Sequence, residues 1–191
     1  MMGNTFDYPV IHGRAIMLTG NHSFTSCSEQ ALLDGKVSLS NYPIIDLIYG
    51  TQKQFNPRTN TLIETYYNQG GKVLLSAANP GHPSLGGTTA AQLSNTPHGQ
   101  LSTVNSQLST ISGCGLTFDI YRNMNPHSYC VPSPSVLAPS GQSIPILTYA
   151  NGNCAAIALQ HRLVRLGFPL ESITDRKKLN ALTKAFLTFL E

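Results

Sequence analysis

The clearest pattern of apolar and polar positions lies near the middle of the chain. Apolar residues recur at helical spacing over residues 60–68, and a glycine pair ends this pattern. A strand predicted at residues 73–76 follows, with three apolar residues in a row and then Ser76, before the turn-forming Asn79 and its neighbours. Such a run is typical of a buried strand in a parallel sheet, and open α/β folds bind ligands at the carboxyl ends of these strands.

The rest of the chain alternates between helix and strand early and contains clustered strands late. Helices are predicted at residues 9–18, 31–35, 60–68 (capped by Thr59 or Asn60), 101–111 and near the C-terminus (capped by Thr174 or Asp175). Strands are predicted at residues 23–27, 44–50, 73–76, 116–121, 129–131, 144–149, 154–159 and 163–168, with a proline-rich connection at 132–139. This order favours an α/β fold with a doubly wound, mostly parallel sheet and a late antiparallel β insertion. Residues 1–191 contain no repeat or boundary, which predicts a single domain.

The amino-acid composition argues against several classes of protein. The chain has 191 residues, of which 41% are hydrophobic, enough to fill one core. Charged residues make up only 11%, and the net charge of +3 comes without a basic cluster, which argues against a nucleic-acid surface. No apolar run approaches the roughly 18 residues of a membrane span. The first residues lack the basic and apolar stretches of a signal peptide.

The four cysteines Cys27, Cys114, Cys130 and Cys154 lack the C-x-x-C spacing of a structural zinc site. Cys114 and Cys130 flank a predicted hairpin, so they either form a disulfide across it or remain free buried thiols. Cys114 and His127 are also a candidate nucleophile–base pair, although no third group is evident to orient the histidine.

Three blocks of sequence resemble a known family. They are GNTFDY from Gly3, with His12 and Gly13 after it, YPIIDLIYGTQK from Tyr42, and LGFPLESI from Leu166 with the closing helix. In this order they resemble the glutamine-amidotransferase-like domains near the C-terminus of large secreted bacterial proteins of the xanthan-lyase or golvesin type. The resemblance extends over almost the whole chain. It implies a flavodoxin-like fold of the class I amidotransferase kind and an extracellular, periplasmic or cell-envelope location.

The N-terminus departs from this family. The family domain has a full first strand before the Gly-Asn pair, whereas only Met1 and Met2 stand there in this chain. Either the chain is a fragment of a longer protein, or its sheet lacks the first strand. A sheet without that strand has unpaired edges, so we expect self-association through an exposed sheet edge, and contacts with other domains of a longer secreted chain.

The resemblance does not extend to a glutaminase site. Class I amidotransferases need a cysteine on a strand-to-helix elbow, a histidine base and a glutamate that orients it. Here the elbow falls at Ser76 and the two alanines after it, and Phe168 stands where the histidine would precede Glu171. A phenyl ring cannot accept a proton, so glutaminase activity is not expected. Ser76 lacks the G-x-S-x-G context of a serine nucleophile. We therefore interpret it as a small residue packed at the end of a strand.

Polar side chains follow the carboxyl ends of several predicted strands, and a doubly wound fold would gather them along one edge. Each of these residues could instead have a structural role, as a turn former, a helix-surface residue, a helix cap or a salt-bridge partner. Glu171, Asp7 and His12 are the candidates for acid–base catalysis. The expected ligand-binding residues are Asn4, Asp7, His12, Gln52, Ser76, Asn79, His82 and Glu171.

The sequence therefore predicts a non-catalytic amidotransferase-like module of a secreted or cell-envelope protein. It would bind a polysaccharide or another polar small molecule, or serve in assembly; a purely structural spacer is a further reading. The alternative is a hydrolase or lyase that acts on polysaccharide or peptidoglycan through the carboxylate and histidine residues. No cofactor is expected, because the loop after Asn79 is proline-rich and no P-loop is present. No metal is expected either, because Asp7, His12 and His82 form no spacing motif.

Overall fold

The structure, a computed structural model, describes residues 7–52, 56–79, 85–92, 109–121 and 130–191, with the backbone alone for Asp7 and Gln92. The helices are α1 (Asp7–Met17), α2 (Glu29–Leu33), α3 (Pro57–Asn68) and α4 (Arg176–Leu190). The strands are β1 (Ile44–Gly50), β2 (Lys72–Ala77), β3 (Thr89–Gln92), β4 (Thr110–Gly113), β5 (Leu116–Asp119), β6 (Ser135–Ala138), β7 (Ile144–Tyr149), β8 (Cys154–Leu159) and β9 (Leu163–Leu166). Short 3-10 turns lie at Leu39–Asn41, Leu85–Gly87 and Leu170–Ser172.

Seven strands form one sheet in the order β1-β2-β9-β8-β7-β4-β5, and β3 pairs with β6 in a second, antiparallel sheet. In the large sheet, β2 pairs parallel with β1 and with β9. The remaining pairs of this sheet are antiparallel. The sheet is therefore mixed, and it curls into a half-barrel with few helices. The prediction of a doubly wound, mostly parallel, flavodoxin-like sheet was wrong, and so was the description of the fold as amidotransferase-like.

Short turns explain why the late strands pair antiparallel. Gln160, His161 and Arg162 join β8 to β9, and the first two have φ of 49° and 55°, the left-handed conformation found in tight hairpin turns. Cys114 and Gly115 join β4 to β5 with φ of 51° and 73°. Parallel neighbours need a crossover of about a dozen residues or more, which these turns do not provide. Five of the late strands, β4, β5, β7, β8 and β9, are therefore part of the main sheet and not an insertion beside it.

Individual elements compare with the sequence as follows. Three strands, β1, β7 and β8, have the predicted bounds. Residues 23–27 were predicted as a strand, but they form no regular secondary structure and belong to neither sheet. The predicted connection at 132–139 contains β6, and the helix predicted at 101–111 reaches into β4. Residues 101–108 and Tyr129 lie outside the described residues.

Both faces of the parallel end of the sheet are covered. Successive residues of a strand point to opposite faces, and those of β2 contribute to two separate apolar clusters. Leu74 packs with Ala15 of α1 and Phe186 of α4, whereas Leu75 packs with Ile63 of α3 on the opposite face. This layering places α1 over one face of β1 and β2. None of the helices in the described ranges has the length and apolarity needed to cross a bilayer.

Candidate functional site

A buried histidine lies between two carboxylates beneath α1. The Nδ1 atom of His12 is 2.7 Å from Oδ2 of Asp46, and its Nε2 atom is 3.1 Å from Oε2 of Glu171. The side chains of His12 and Glu171 have no exposed surface, and that of Asp46 is 11% exposed. We call these three residues the buried triad. The triad joins three elements that are far apart in the sequence.

Local structure explains how each member reaches this position. Asp46 of β1 is in register with Leu74 of β2, so it points to the face that α1 covers. Glu171 lies in the 3-10 turn that follows β9, and Pro169 begins this turn in an extended conformation. The α1 helix packs against this turn and against α4. His12, on the inward side of α1, is therefore held above the carboxyl end of β9 and beside β1.

The electrostatics of the triad favour a charged imidazole. Burial alone would lower the pKa of His12, but the negative charges of Asp46 and Glu171 and the hydrogen bonds to them outweigh it. Together they raise the pKa from 6.5 to about 10. Both ring nitrogens of an imidazolium are donors, so Nδ1–H donates to Asp46 and Nε2–H donates to Glu171. Charge-assisted hydrogen bonds of this kind are stronger than neutral ones.

This geometry suits a structural role better than proton transfer. A general base needs a ring nitrogen that is unprotonated and within reach of the substrate. In His12 both nitrogens carry protons that are engaged with carboxylates, and the ring has no exposed surface. One oxygen, Oδ1 of Asp46, is buried without a hydrogen-bond partner among the described residues. This oxygen can still accept a hydrogen bond.

The structure brings together some of the predicted site residues and not others. His12 and Glu171 are in direct contact. Asn79, after β2, donates from Nδ2 to the backbone oxygens of Thr51 at 2.7 Å and Gln52 at 3.1 Å. This bond ties the ends of β1 and β2 together. Asn4, His82 and the side chain of Asp7 lie outside the described residues, so their positions relative to His12 are not described.

The position that would form a nucleophile elbow is closed. Ser76 is fully buried in β2, in register with Ile48 of β1 and Leu166 of β9. Its Oγ has no hydrogen-bond partner in the described part of the chain. Phe168 is also fully buried, and its ring packs near that of Phe118 at 6.1 Å between centroids. Neither position offers an exposed reactive atom.

Two functional-looking residues were missed by the sequence reasoning. Asp46 is the one charged residue in the apolar run of β1. Because a buried charge needs a partner, this position could have indicated a buried ion pair. Arg165 of β9 is buried, and burial lowers its pKa to about 10. Its Nη1 donates to the backbone oxygen of Thr88 at 2.7 Å and to its Oγ1 at 2.9 Å. No motif surrounds Arg165 that could have indicated this contact.

The cysteines are all free thiols, so Cys114 and Cys130 form no disulfide. Burial raises the pKa of Cys114, whose Sγ lies 3.7 Å from the backbone oxygen of Ile146. A raised pKa disfavours the thiolate, which is the nucleophilic form. His127, its proposed partner, lies outside the described residues. Within the described ranges, no group of three or more His, Cys, Asp or Glu side chains is arranged to hold a metal ion.

Comparisons with known proteins do not assign the chain to a family. No protein-family model matches the chain, and no curated protein matches it. A similar solved structure is a β-galactosidase from the psychrophilic Marinomonas ef1, with a TM-score of 0.48 and 14% identity over 81% of this chain. The chain spans about a fifth of that protein, 21% of its length. The resemblance to xanthan-lyase and golvesin-type domains stays a prediction.

Proposed function

We propose that this chain is a non-catalytic module of a secreted or cell-envelope protein and that it serves in assembly. The observation that supports the proposal is the burial of the candidate acid–base residues, because the side chains of His12 and Glu171 have no exposed surface. A general acid or base must contact the substrate directly or through one water. In the triad both ring nitrogens of His12 instead contact carboxylates of the same chain, and so the triad stabilises the packing of α1 on the sheet.

The same geometry favours assembly over binding of a polar ligand. A ligand site needs polar groups that converge on an open cleft. Of the predicted ligand-binding residues whose side chains the structure describes, His12, Ser76, Asn79 and Glu171 are buried and Gln52 is exposed. Binding of a polysaccharide or another polar small molecule therefore ranks below assembly. The low charged fraction of 11% supports an extracellular or periplasmic location, which fractionation of the producing cells would test.

An activity assay with matched histidine variants tests the absence of catalysis. The purified chain is incubated with polysaccharides and with peptidoglycan, and released reducing ends and unsaturated products are measured. We expect no turnover above that of a heat-denatured sample. Turnover that is lost in His12→Gln and retained in His22→Gln would contradict the proposal. His22 is a suitable control because it also contacts a carboxylate, Glu191 at 3.0 Å, but at the surface.

A second candidate function is a hydrolase or lyase acting on polysaccharide or peptidoglycan. One observation favours it: the side chain of Asp46 is 11% exposed, whereas the side chains of His12 and Glu171 have no exposed surface. In that case Asp46 would be the group that approaches a substrate, with His12 and Glu171 orienting it. Turnover abolished by Asp46→Asn would support this candidate, and unchanged background rates in that variant would remove it.

A further inference from the structure

The positive charge of the chain is concentrated on the two helices that cover one face of the large sheet. Residues 8–18, which include α1 after its first residue, and residues 176–190, which form α4, contain five Lys or Arg and no Asp or Glu. The whole chain has a net charge of +3, so the rest of it sums to −2. Four of the five basic side chains are exposed: Arg14, Arg176, Lys177 and Lys184. The carboxylates that flank α4 are already engaged, because Asp175 caps the helix and Glu191 contacts His22.

Exposed apolar side chains are concentrated on α1. Six large apolar side chains are exposed among the described residues, and three of them are Val10 at 47%, Met17 at 63% and Leu18 at 69%. Leu18 continues the helical hydrogen bonding, because its N–H donates to the backbone oxygen of Arg14. Positions 10, 14, 17 and 18 lie on one side of a helix. The outer side of α1 therefore presents three apolar side chains around one arginine, and such a group is typical of an interaction site.

Contacts at two levels show that α1 and α4 run side by side in the same direction. Glu171 contacts both helices, because its side chain meets His12 and its backbone oxygen lies 3.4 Å from Nη1 of Arg176. Beyond the far ends of the two helices, Nε2 of His22 lies 3.0 Å from Oε1 of Glu191. The helices also pack on each other and on the same apolar cluster of the sheet. Their exposed sides therefore face away from the sheet together.

The outer side of α4 is polar where that of α1 is apolar. Its exposed residues at helical spacing form one row, Lys177, Ala181, Lys184 and Thr188. Met17 on α1 and Lys184 on α4 both lie between the two levels of contact, so they flank the same stretch of the helix pair. Two neighbouring helices leave a groove between their outer rows, and the small side chain of Ala181 allows a third helix to approach it. We call this surface the α1–α4 groove.

We propose that the α1–α4 groove binds an acidic amphipathic helix of a partner polypeptide. Such a helix places its apolar side chains on Val10, Met17 and Leu18, and its carboxylates face the lysines of α4. The exposed charges of α1 and α4 are all basic, and this determines the sign of the charge on the partner. Met and Arg at the centre, with Lys at the border, is also the composition found in protein interfaces. The inference names the partner for the proposed assembly role and rests on that role to this extent.

The dimensions of the groove indicate the length of the partner helix and the strength of binding. The α4 helix has 15 residues, which corresponds to about 22 Å, so a partner helix of about 15 residues matches it. One helix buries less surface than a standard protein interface, so we expect a dissociation constant of about 10–100 μM. A bilayer surface fits less well, because a helix that lies on a bilayer needs a broad apolar face. Here the exposed apolar residues are confined to α1 and surround Arg14.

Fluorescence anisotropy with a labelled peptide tests the groove. The probe is a synthetic peptide of about 18 residues with leucine at helical spacing on one side and glutamate on the other. We expect the chain to bind it, and binding should weaken about tenfold between about 50 and 500 mM NaCl because salt screens exposed charges. A peptide with lysine in place of glutamate should bind at least about tenfold more weakly. A peptide with a central proline should lose affinity as well, because it cannot form the helix.

Matched variants of the full chain locate the binding. Met17→Ser and Lys184→Glu alter the groove, whereas Leu62→Ser on α3 and Lys36→Glu after α2 make similar changes elsewhere. All four positions are exposed, so the variants should fold, and circular dichroism checks this. We expect affinity to fall about tenfold in each groove variant and to stay within about twofold in each control. Equal losses in groove and control variants, or no binding at millimolar peptide, would overturn the proposal.

Other occupants of the groove give distinct results. If phosphatidylglycerol vesicles bind the chain in a flotation assay and the acidic peptide does not, the groove contacts lipid and the proposal fails. If the chain is a dimer by light scattering and Met17→Ser makes it a monomer, a second copy occupies the groove and the proposal also fails. None of these results depends on turnover, so a failed groove and a failed assignment as non-catalytic are distinguishable.

Discussion

Removing the imidazole of His12 should destabilise the chain far more than removing a surface imidazole. In His12→Ala the buried carboxylate of Glu171 loses its positive partner, and Asp46 loses the donor at 2.7 Å. Breaking a buried ion pair by deleting one member costs about 3–5 kcal/mol. The pKa of His12 gives the same order, since a rise from 6.5 to about 10, at about 1.4 kcal/mol per unit, corresponds to several kcal/mol. A typical domain has about 5–15 kcal/mol of stability in total.

The matched control is His22→Ala. His22 contacts Glu191 at 3.0 Å, but these side chains are 20% and 51% exposed, so the loss should stay below about 1 kcal/mol. Urea unfolding followed by circular dichroism measures both free energies, and equal slopes against denaturant would show that the denatured states are comparable. If His12→Ala and His22→Ala differ by less than about 1 kcal/mol, the buried triad does not stabilise the fold as we describe.

Three further results are expected. The raised pKa of His12 means that the folded chain binds this proton more tightly than the unfolded chain does. The contribution of His12 to the free energy of unfolding is therefore complete below pH 6.5 and is lost as the pH rises through about 10. Free energies of unfolding measured across this range should fall in the parent chain and fall less in His12→Gln. Gly167→Ala should cost about 2 kcal/mol or more, because its Cβ would lie 2.1 Å from the backbone oxygen of Ser135, and an unchanged thermal midpoint would refute that clash. Asp175→Ala should cost about 1 kcal/mol, because its carboxylate accepts from Lys177 N at 2.8 Å as the N-cap of α4, with Asp175→Asn as the variant that retains the cap in the same urea assay.

Local structure was predictable from the sequence where local physics dominates. The bounds of β1, β7 and β8 follow from their apolar runs and the turns beside them. The N-cap at Asp175 was predictable because a short side chain that accepts hydrogen bonds stands directly before an amphipathic helix. The α3 helix begins earlier than predicted, because Asn56 is its N-cap and proline occupies its first position. The order of strands in the sheet was not predictable in the same way, because it depends on which strands pair edge to edge. The hairpin turns at Cys114 and Gln160 pair β4 with β5 and β8 with β9.

The candidate site was only partly predictable for a similar reason. His12 and Glu171 were selected as polar residues near strand ends, but Asp46 was overlooked because it lies inside an apolar run. The contact itself spans 159 positions between His12 and Glu171, and it depends on how α1 packs against the turn after β9. Sequence patterns report which faces are apolar, whereas they do not report which two distant polar groups will be buried together. That information arises only from the tertiary packing.

The most direct test of the central claim is a nitrogen NMR titration of the His12 ring in the folded chain. If His12 is a buried imidazolium held by Asp46 and Glu171, both ring nitrogens will carry protons at neutral pH and will titrate together near pH 10. The protons should also exchange slowly with solvent, because the ring has no exposed surface. A ring that is neutral at pH 7 and titrates near the ordinary value of 6.5 would contradict the account, since His12 would then be available as a base.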